Sequence, residues 1–191
     1  MPRSRLRPCR RFPPAREPQP IDRSAANMST LTTERLRLRP LEPRDVDPLV
    51  IHQSSPEVMR YVPGGIRARA AVQALVERSQ ADWRARGHGL YAVEHQETGE
   101  VIGYCGTRAL EGGAAIELDM ILAEEHWTQG LGTEAAAAVL ASAKRAGIRQ
   151  ALAVPHDANV AAHRVCEKNE LASRGSESHY GIECAVYAYE G

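Results

Sequence analysis

The hydrophobic positions along the chain follow two different periods. From Arg35 to Arg39 leucines alternate with arginines, which predicts a strand with Leu36 and Leu38 on one buried face. Within residues 68–86 apolar residues recur at helical spacing, and Gly87 follows as a typical residue after a helix end. The chain is therefore expected to contain both strands and helices, whose apolar faces pack together in one core.

The remaining elements complete an alternating order. In chain order the patterns first predict a helix between Pro43 and Pro56, a hairpin of strands 90–94 and 101–107, and a strand over 115–122. They then predict a helix over 132–146 stopped by Gly147, a strand over 148–154, a helix over 159–168 and a final strand over 182–189. Antiparallel strands thus come first, and a β-α-β-α-β order follows. This order predicts an α+β or α/β sandwich, with a mixed sheet whose faces are covered by helices.

The length and the charge distribution divide the chain into two parts. A length of 191 residues suits one domain of ordinary size. Residues 1–27 contain seven arginines and six prolines without a hydrophobic period, so we expect them to be disordered. Residues 28–191 form the single predicted domain. Residues 1–27, called the head below, have three alternative interpretations: an artefact of start-site choice before Met28, an organelle-targeting peptide, or a nucleic-acid-binding arm.

Composition excludes several classes of function. The head carries a net charge of +5 in a chain whose overall charge is zero, so the rest is mildly acidic and is not expected to bind nucleic acid. No apolar run approaches the roughly 18 residues of a membrane span, so we expect no membrane partner. The four cysteines are far apart and lack zinc-site spacing, which predicts no metal and a reducing, cytoplasmic setting. Monomer and homodimer both remain open.

The segment of residues 126–135 joins a predicted strand to a predicted helix and contains two glycines. Gly130 and Gly132 allow a sharp turn that brings backbone N–H groups close to an anion, and the helix N-terminus adds partial positive charge. Two alternatives exist for this loop. It is an ordinary glycine-rich turn, or it is the fingerprint of a Rossmann dinucleotide site with Asp157 as ribose ligand. The Rossmann alternative fits poorly, because residues 123–129 separate the strand from the first glycine.

The loop resembles the pyrophosphate-binding motif of the GNAT superfamily of N-acetyltransferases, written Arg/Gln-x-x-Gly-x-Gly/Ala. Trp127 occupies the first position, as in the RimJ/RimL-like branch that acetylates ribosomal-protein N-termini, and Thr128 replaces the first glycine of that branch's version. The resemblance implies that a phosphate-binding loop holds the pyrophosphate of coenzyme A. Its residues are Gln129, Gly130, Leu131, Gly132 and Thr133.

Two further stretches resemble the same branch. Residues 33–41 followed by Asp45 are similar to its first strand and turn, and Asn159 begins an element similar to its Asn-x-x-Ser/Ala helix start. The three motifs occur in the family's order. Glu170 and Leu171 depart from it, since they stand where the family usually has Gly-Phe.

The resemblance implies a mostly antiparallel sheet flanked by helices on both faces. It also implies transfer of an acetyl group from acetyl-CoA, as co-substrate and without a metal, to a primary amine by direct attack in a ternary complex. The branch favours a protein or peptide N-terminus as the acceptor. Two alternatives remain: a small-molecule amine such as an antibiotic, and a non-catalytic CoA-binding regulatory module.

The strand before the loop carries the candidate base. Glu117 and Asp119 share one strand face by alternation, and Glu117 falls where many GNAT enzymes have a carboxylate that takes the amine proton. The competing interpretation is that Glu117 is solvated or pairs with an arginine. The resemblance also implies that main-chain groups of this strand's end bind the pantetheine arm. These belong to Ile121, Leu122 and Ala123.

The last predicted helix carries two further candidates. Cys166 stands where many family members have a tyrosine that protonates the departing thiolate, so Cys166 is either that acid or a core residue. Asn159 is expected to cap the helix and to bind pantetheine. His156 and His163 are expected to have surface or packing roles. Acceptor specificity is expected to lie in residues 60–70 and after Leu171.

Overall fold

The computed structural model describes residues 30–190, and the predicted disorder of residues 1–27 lies outside that range. The strands are β1 (Leu31–Thr32), β2 (Leu36–Pro40), β3 (Leu90–His95), β4 (Val101–Ala109), β5 (Ile116–Leu122), β6 (Gln150–Ala153), β7 (Ala172–His179) and β8 (Ile182–Glu190). The helices are α1 (Val46–Gln53), α2 (Pro56–Met59), α3 (Arg69–Arg86), α4 (Leu131–Arg145) and α5 (Val160–Lys168). None of these helices is both long and apolar enough to cross a membrane.

The eight strands form one sheet in the order β1-β2-β3-β4-β5-β6-β8-β7. Every neighbouring pair is antiparallel except β5 with β6, which run parallel. The predicted mixed, mostly antiparallel sheet is confirmed. The Rossmann alternative is wrong, because a doubly wound unit requires a mostly parallel sheet.

Helices cover both faces of the sheet, as predicted. On one face α1, α2 and α3 bury apolar residues against β3, β4 and β5, with Leu49 and Val72 fully buried. On the other face α4 and α5 pack on the sheet, with Ala135 and Cys166 in the two clusters there. The alanine-rich face of α4 lets this helix approach the sheet closely, so β5 and the start of α4 have fixed relative positions.

A buried ion pair fixes the connection from β2 to α1. Arg39 and Asp45 are 5 % and 1 % exposed, and two guanidinium nitrogens donate to the two carboxylate oxygens at 2.7 Å each. Glu94 on β3 accepts a further hydrogen bond from Arg39 Nε at 2.7 Å. Because both charges are paired and hydrogen-bonded, their burial is tolerated.

Three elements were not predicted from the sequence. β1 and α2 are only two and four residues long, too short for a periodic signal. β7 is longer, but its sequence is polar and almost entirely exposed, so it shows no alternation of apolar and polar positions. The segment after Leu171 is therefore a hairpin of β7 and β8 and not an irregular loop followed by one strand.

Glu170 and Leu171, which stand before β7 where the family usually has Gly-Phe, occupy positions that suit those family residues. Glu170 has a φ of 59°, a conformation that suits glycine and that other residues adopt less readily. Leu171 is 6 % exposed and belongs to the cluster that includes Leu140 and Cys166. Leucine therefore fills the apolar position where the family usually has phenylalanine.

Candidate active site

The site lies where β5 and β6 separate. These parallel strands share a single aligned pair, Glu117 with Leu152, and a cavity of about 240 Å³ opens next to it. Residues of both strands line the cavity, together with residues of α5, of the β7–β8 hairpin and of the segment before α3. The chemically relevant lining residues are Tyr61, Arg67, Arg108, Glu117, Asp119, His156, Asn159, Cys166 and Tyr180.

Glu117 is 3 % exposed and lies directly opposite Arg108 in the antiparallel pair of β4 and β5. Arg108 Nε lies 2.6 Å from Glu117 Oε1 and 2.8 Å from Asp119 Oδ2. The Nε–H bond is aimed at neither oxygen closely enough to form a hydrogen bond, so the contact is mainly electrostatic. One guanidinium therefore lies between two carboxylates, Glu117 and Asp119.

Tyr180 reaches Glu117 from the tip of the β7–β8 hairpin. Its hydroxyl donates to Glu117 Oε1 at 2.5 Å and accepts from Arg108 Nη2 at 3.3 Å. Glu111 holds the hairpin tip, since its Oε1 accepts from the Tyr180 backbone N–H at 2.7 Å and its Oε2 lies 3.0 Å from His179 Nδ1. The Glu117 carboxylate thus has partners from β4 and from the β7–β8 hairpin, two elements that are distant from each other in sequence.

These surroundings shift the acid–base properties of Glu117. Burial raises the pKa of Glu117 from 4.5 to about 7, and repulsion from Asp119 adds to this rise. Arg108 and the hydrogen bond from Tyr180 act in the opposite direction. A carboxyl with a pKa near neutrality is well matched to accept a proton at physiological pH.

The predicted phosphate-binding loop, residues 129–133, leads into the start of α4. Gly130 precedes the first helical residue with a φ of +81°, and the Leu131, Gly132 and Thr133 N–H groups lie in the first helical turn, where no intrahelical acceptor exists. Thr128 has a φ of 60°, so the threonine adopts the left-handed conformation that suits the glycine of the related version.

Side chains of Arg35, directly before β2, and of Glu134 in α4 support this loop. Arg35 Nη1 donates to Gln129 O at 2.8 Å, and Arg35 Nε donates to Glu134 Oε2 at 2.8 Å. Gln129 Nε2 donates to Glu125 O at 2.9 Å. The Gln129 side chain is thus held within the loop, and the backbone N–H groups that follow it have no acceptor within α4.

The end of β5 differs in detail from the expectation. The Ala123 N–H donates to Ile102 O at 2.8 Å and the Ala123 carbonyl accepts from His126 N at 3.1 Å, so both main-chain groups already have partners. By strand alternation Ile121 also directs its main-chain groups towards β4, whereas those of Leu122 point to the opposite side, towards the opening beside β6. Of the three predicted residues, Leu122 has the N–H best placed for a pantetheine arm, while its carbonyl accepts from Trp127 Nε1 at 2.8 Å.

The two α5 candidates both line the cavity, in different environments. Asn159 caps the helix, since its Oδ1 accepts from Ala162 N at 3.1 Å, and its amide nitrogen remains available as a donor. Cys166 is 4 % exposed, and burial raises the pKa of its thiol to about 12. Such a thiol is a weak acid. This argues against Cys166 as a proton donor and for Cys166 as an apolar residue that lines the cavity.

The histidines near α5 take part in local structure. His163 lies 2.9 Å from Tyr187 Oη and 3.1 Å from Asp157 O, and His156 Nδ1 accepts from Ala158 N at 3.0 Å. Within residues 30–190 no group of three or more His, Cys, Asp and Glu side chains is arranged to hold a metal ion.

Two residues of the site were missed by the sequence reasoning. Pairing of Glu117 with an arginine was one interpretation, but Arg108 was not named, because the predicted strand ended at residue 107. Extending that strand by one residue would have placed Arg108 in register with Glu117. Tyr180 had no signal, since only the three-dimensional fold brings it to Glu117.

Comparisons with known proteins agree with this geometry. The family model described as acetyltransferase (GNAT) domain matches residues 35–171. The chain is 33% identical over 163 residues to the uncharacterized protein YkkB of Bacillus subtilis (strain 168). The matched region covers 82% of this chain and 93% of YkkB. Among solved structures, an acetyltransferase from Agrobacterium tumefaciens str. C58 superimposes with a TM-score of 0.76 at 27% identity, covering 93% of this chain and 100% of that one.

A RimL ribosomal L7/L12 alpha-N-protein acetyltransferase, solved in complex with coenzyme A, has the same fold. The TM-score is 0.70 at 19% identity, covering 85% of this chain and 98% of that one. The family match, the YkkB match and the splayed strands beside a glycine-containing helix start define the class of protein. The chain belongs to the GNAT acetyltransferase family and is an acyltransferase.

Proposed function

We propose that this protein transfers an acetyl group from acetyl-CoA to a single primary amine, with the N-terminus of a protein or peptide as the favoured acceptor. The observation that carries the proposal is the position of Glu117. This buried carboxyl, with a pKa raised to about 7, lies where β5 and β6 separate and lines the cavity that opens there.

Acetyl-CoA would bind along the α4 and α5 side of the opening. The N–H groups of Leu131, Gly132 and Thr133 would hold the pyrophosphate at the positive end of α4. The Leu122 N–H and the Asn159 amide nitrogen are the donors for the pantetheine arm.

The chemistry requires a neutral amine and a polarised thioester. The amine nitrogen attacks the acetyl carbonyl carbon, a C–N bond forms, and the C–S bond breaks to release the coenzyme A thiolate. Glu117 would take the proton that the amine loses, directly or through one water, and general base catalysis of this kind contributes about 10²–10⁴ in rate. The thiolate is then protonated from solvent in this scheme, since the Cys166 thiol is a weak acid.

The charge of the cavity favours an acceptor with one amine. Two carboxylates, Glu117 and Asp119, and two guanidinium groups, Arg67 and Arg108, line it. An antibiotic with several ammonium groups would need an excess of negative charge, which this balanced lining does not offer. A peptide N-terminus carries a single reacting amine and fits the balance better.

The test combines binding and turnover. Calorimetric titration of acetyl-CoA into the wild-type protein should give saturable binding, and Glu117→Gln should bind with a similar Kd. Coenzyme A thiol release should then be followed with peptides bearing free N-terminal Ser, Ala or Met. The matched control is the same peptides with blocked N-termini, and a panel of small amines tests the other acceptor class.

The outcomes separate the alternatives. Turnover with the free peptides that Glu117→Gln loses by about 10²-fold or more supports the proposal. Turnover with small amines alone would overturn the peptide acceptor. Tight binding of acetyl-CoA with no turnover of any amine would identify a CoA-binding regulatory module.

A further inference from the structure

The tip of the β7–β8 hairpin has an unusual residue. His179 pairs with Ile182, so Tyr180 and Gly181 form a two-residue turn in which both have positive φ, 55° and 78°. Turns of this type favour asparagine or aspartate followed by glycine, because a bulky residue is strained in the left-handed region. A tyrosine at the first position therefore indicates that its side chain is used.

The hydroxyl of Tyr180 and the guanidinium of Arg108 both contact the same oxygen of Glu117, Oε1. Among residues 30–190 no donor forms a hydrogen bond with Glu117 Oε2. A carboxylate held through one oxygen presents the other for proton transfer. The Arg108 guanidinium also lies 5.7 Å from the centre of the Tyr180 ring, which fixes the ring as well as the hydroxyl.

We infer that Tyr180 is a positioning residue for the acetyl transfer: its hydroxyl fixes Glu117 Oε1, stabilises the carboxylate by donating a hydrogen bond to it and leaves Oε2 to accept the proton of the acceptor amine. The inference rests on the proposed function. In the proton transfer the amine N–H bond breaks and an O–H bond forms at Glu117 Oε2, while Tyr180 keeps its own proton. The pKa of the Tyr180 hydroxyl is raised by burial and by the hydrogen bond to Glu117, so Tyr180 stays a donor.

Several groups influence the titration of Glu117, and the Tyr180 contribution must be separated from theirs. The charged and titratable side chains around it come from β4, β5, the turn before β5 and the hairpin: Tyr104, Arg108, Glu111, Asp119, His179 and Tyr180. Tyr180→Phe removes only the hydroxyl and keeps the ring against Arg108. Tyr91→Phe is the matched control, since Tyr91 Oη contacts Ser142 Oγ at 3.1 Å and Tyr91 does not line the cavity.

The first measurement needs no acceptor. A ¹³C NMR titration of the Glu117 carboxyl, assigned by comparison with Glu117→Gln, should show a midpoint about one pH unit higher in Tyr180→Phe than in the wild-type protein. Tyr91→Phe should leave the midpoint unchanged. An unchanged midpoint in Tyr180→Phe would overturn the inference, whether or not an acceptor has been found.

The second measurement uses a free-N-terminus peptide that the wild-type enzyme acetylates. With Tyr180→Phe, kcat/KM should fall about fivefold at pH 7 and recover at pH 9, because the carboxyl ionises again at higher pH. Glu117→Gln should recover at no pH. A uniform loss at all pH values would show a merely structural role and overturn the inference. Absence of turnover in the wild-type enzyme would instead overturn the proposed function.

Discussion

Arg35 and Glu134 connect the start of the first long strand to α4, the helix that follows the predicted phosphate-binding loop. The Arg35 backbone N–H donates to Glu134 Oε1 at 2.9 Å, and the Arg35 guanidinium donates to Oε2 at 2.8 Å. The same guanidinium donates from Nη1 to Gln129 O at 2.8 Å. One side chain therefore holds both the start of α4 and the loop residue before Gly130, which places the family's first-strand motif and its loop motif in direct contact.

Arg35→Lys should weaken acetyl-CoA binding about tenfold, equivalent to about 1.4 kcal/mol, because a lysine cannot bind Glu134 and Gln129 at the same time. Arg37→Lys is the control, since the exposed Arg37 pairs with Glu94 away from the loop. Calorimetric titration of acetyl-CoA into both variants gives the comparison. Equal affinities for the two variants would show that this contact does not order the loop.

The two glycines of the loop should differ in their tolerance of alanine. Gly130 has a φ of +81°, so Gly130→Ala should lower the free energy of unfolding by about 1–2 kcal/mol. A Cβ at Gly132 would lie 3.2 Å from Met120 Cε, the movable end of a flexible side chain, so Gly132→Ala should change stability by less than about 0.5 kcal/mol. Urea denaturation of both variants measures the difference. A larger loss from Gly132→Ala would contradict it.

The elements with regular patterns were predictable. The Leu-Arg alternation located β2, and Gly87, with a φ of 71°, ends α3 as expected. The start of α4 was predicted close to its observed position, because Gly130 and Gly132 mark a strand-to-helix junction. In each case a local pattern and the tertiary structure favour the same conformation.

The parts that were missed depend on distant contacts. β7 is an exposed polar strand whose position is set by pairing with β8, and not by an apolar face of its own. Tyr180 lies 63 positions from Glu117, and the hairpin tip that carries it is held by Glu111. A single sequence contains no local signal for such a contact.

The raised pKa of Glu117 predicts a pH-dependent stability. Because the pKa in the folded protein, about 7, is above the ordinary value of 4.5, the contribution of the protonated group is complete below pH 4.5 and is lost as the pH rises through 7. The free energy of unfolding of Glu117→Gln relative to the wild type should thus rise by on the order of 3 kcal/mol between pH 4.5 and pH 8. Denaturation curves at both pH values provide the test. A pH-independent difference would show that Glu117 is not titrating in this range.

The buried ion pair of Arg39 and Asp45 should matter far more than an exposed one. Asp45→Asn leaves a buried guanidinium with only Glu94 as its charged partner, so the free energy of unfolding should fall by about 3 kcal/mol. Asp47→Asn, which removes the largely exposed pair with Arg69, should cost less than about 1 kcal/mol. Thermal and urea denaturation of both variants, at one pH, measure the contrast. Similar losses would mean that Arg39 finds other partners when Asp45 is neutral.

Substitution of Cys166 tests whether this thiol replaces the family's tyrosine as the proton donor or has no chemical role. The buried thiol, with its pKa raised to about 12, would donate a proton to a coenzyme A thiolate only against a difference of about 3 pKa units. Cys166→Ala should therefore keep kcat/KM within about threefold of the wild type while lowering stability through the small cavity that it creates. Cys105→Ala is the matched control, because Cys105 is equally buried but does not line the active-site cavity. A selective loss of activity of about a hundredfold in Cys166→Ala, with normal acetyl-CoA binding and full activity of Cys105→Ala, would restore the thiol as the proton donor.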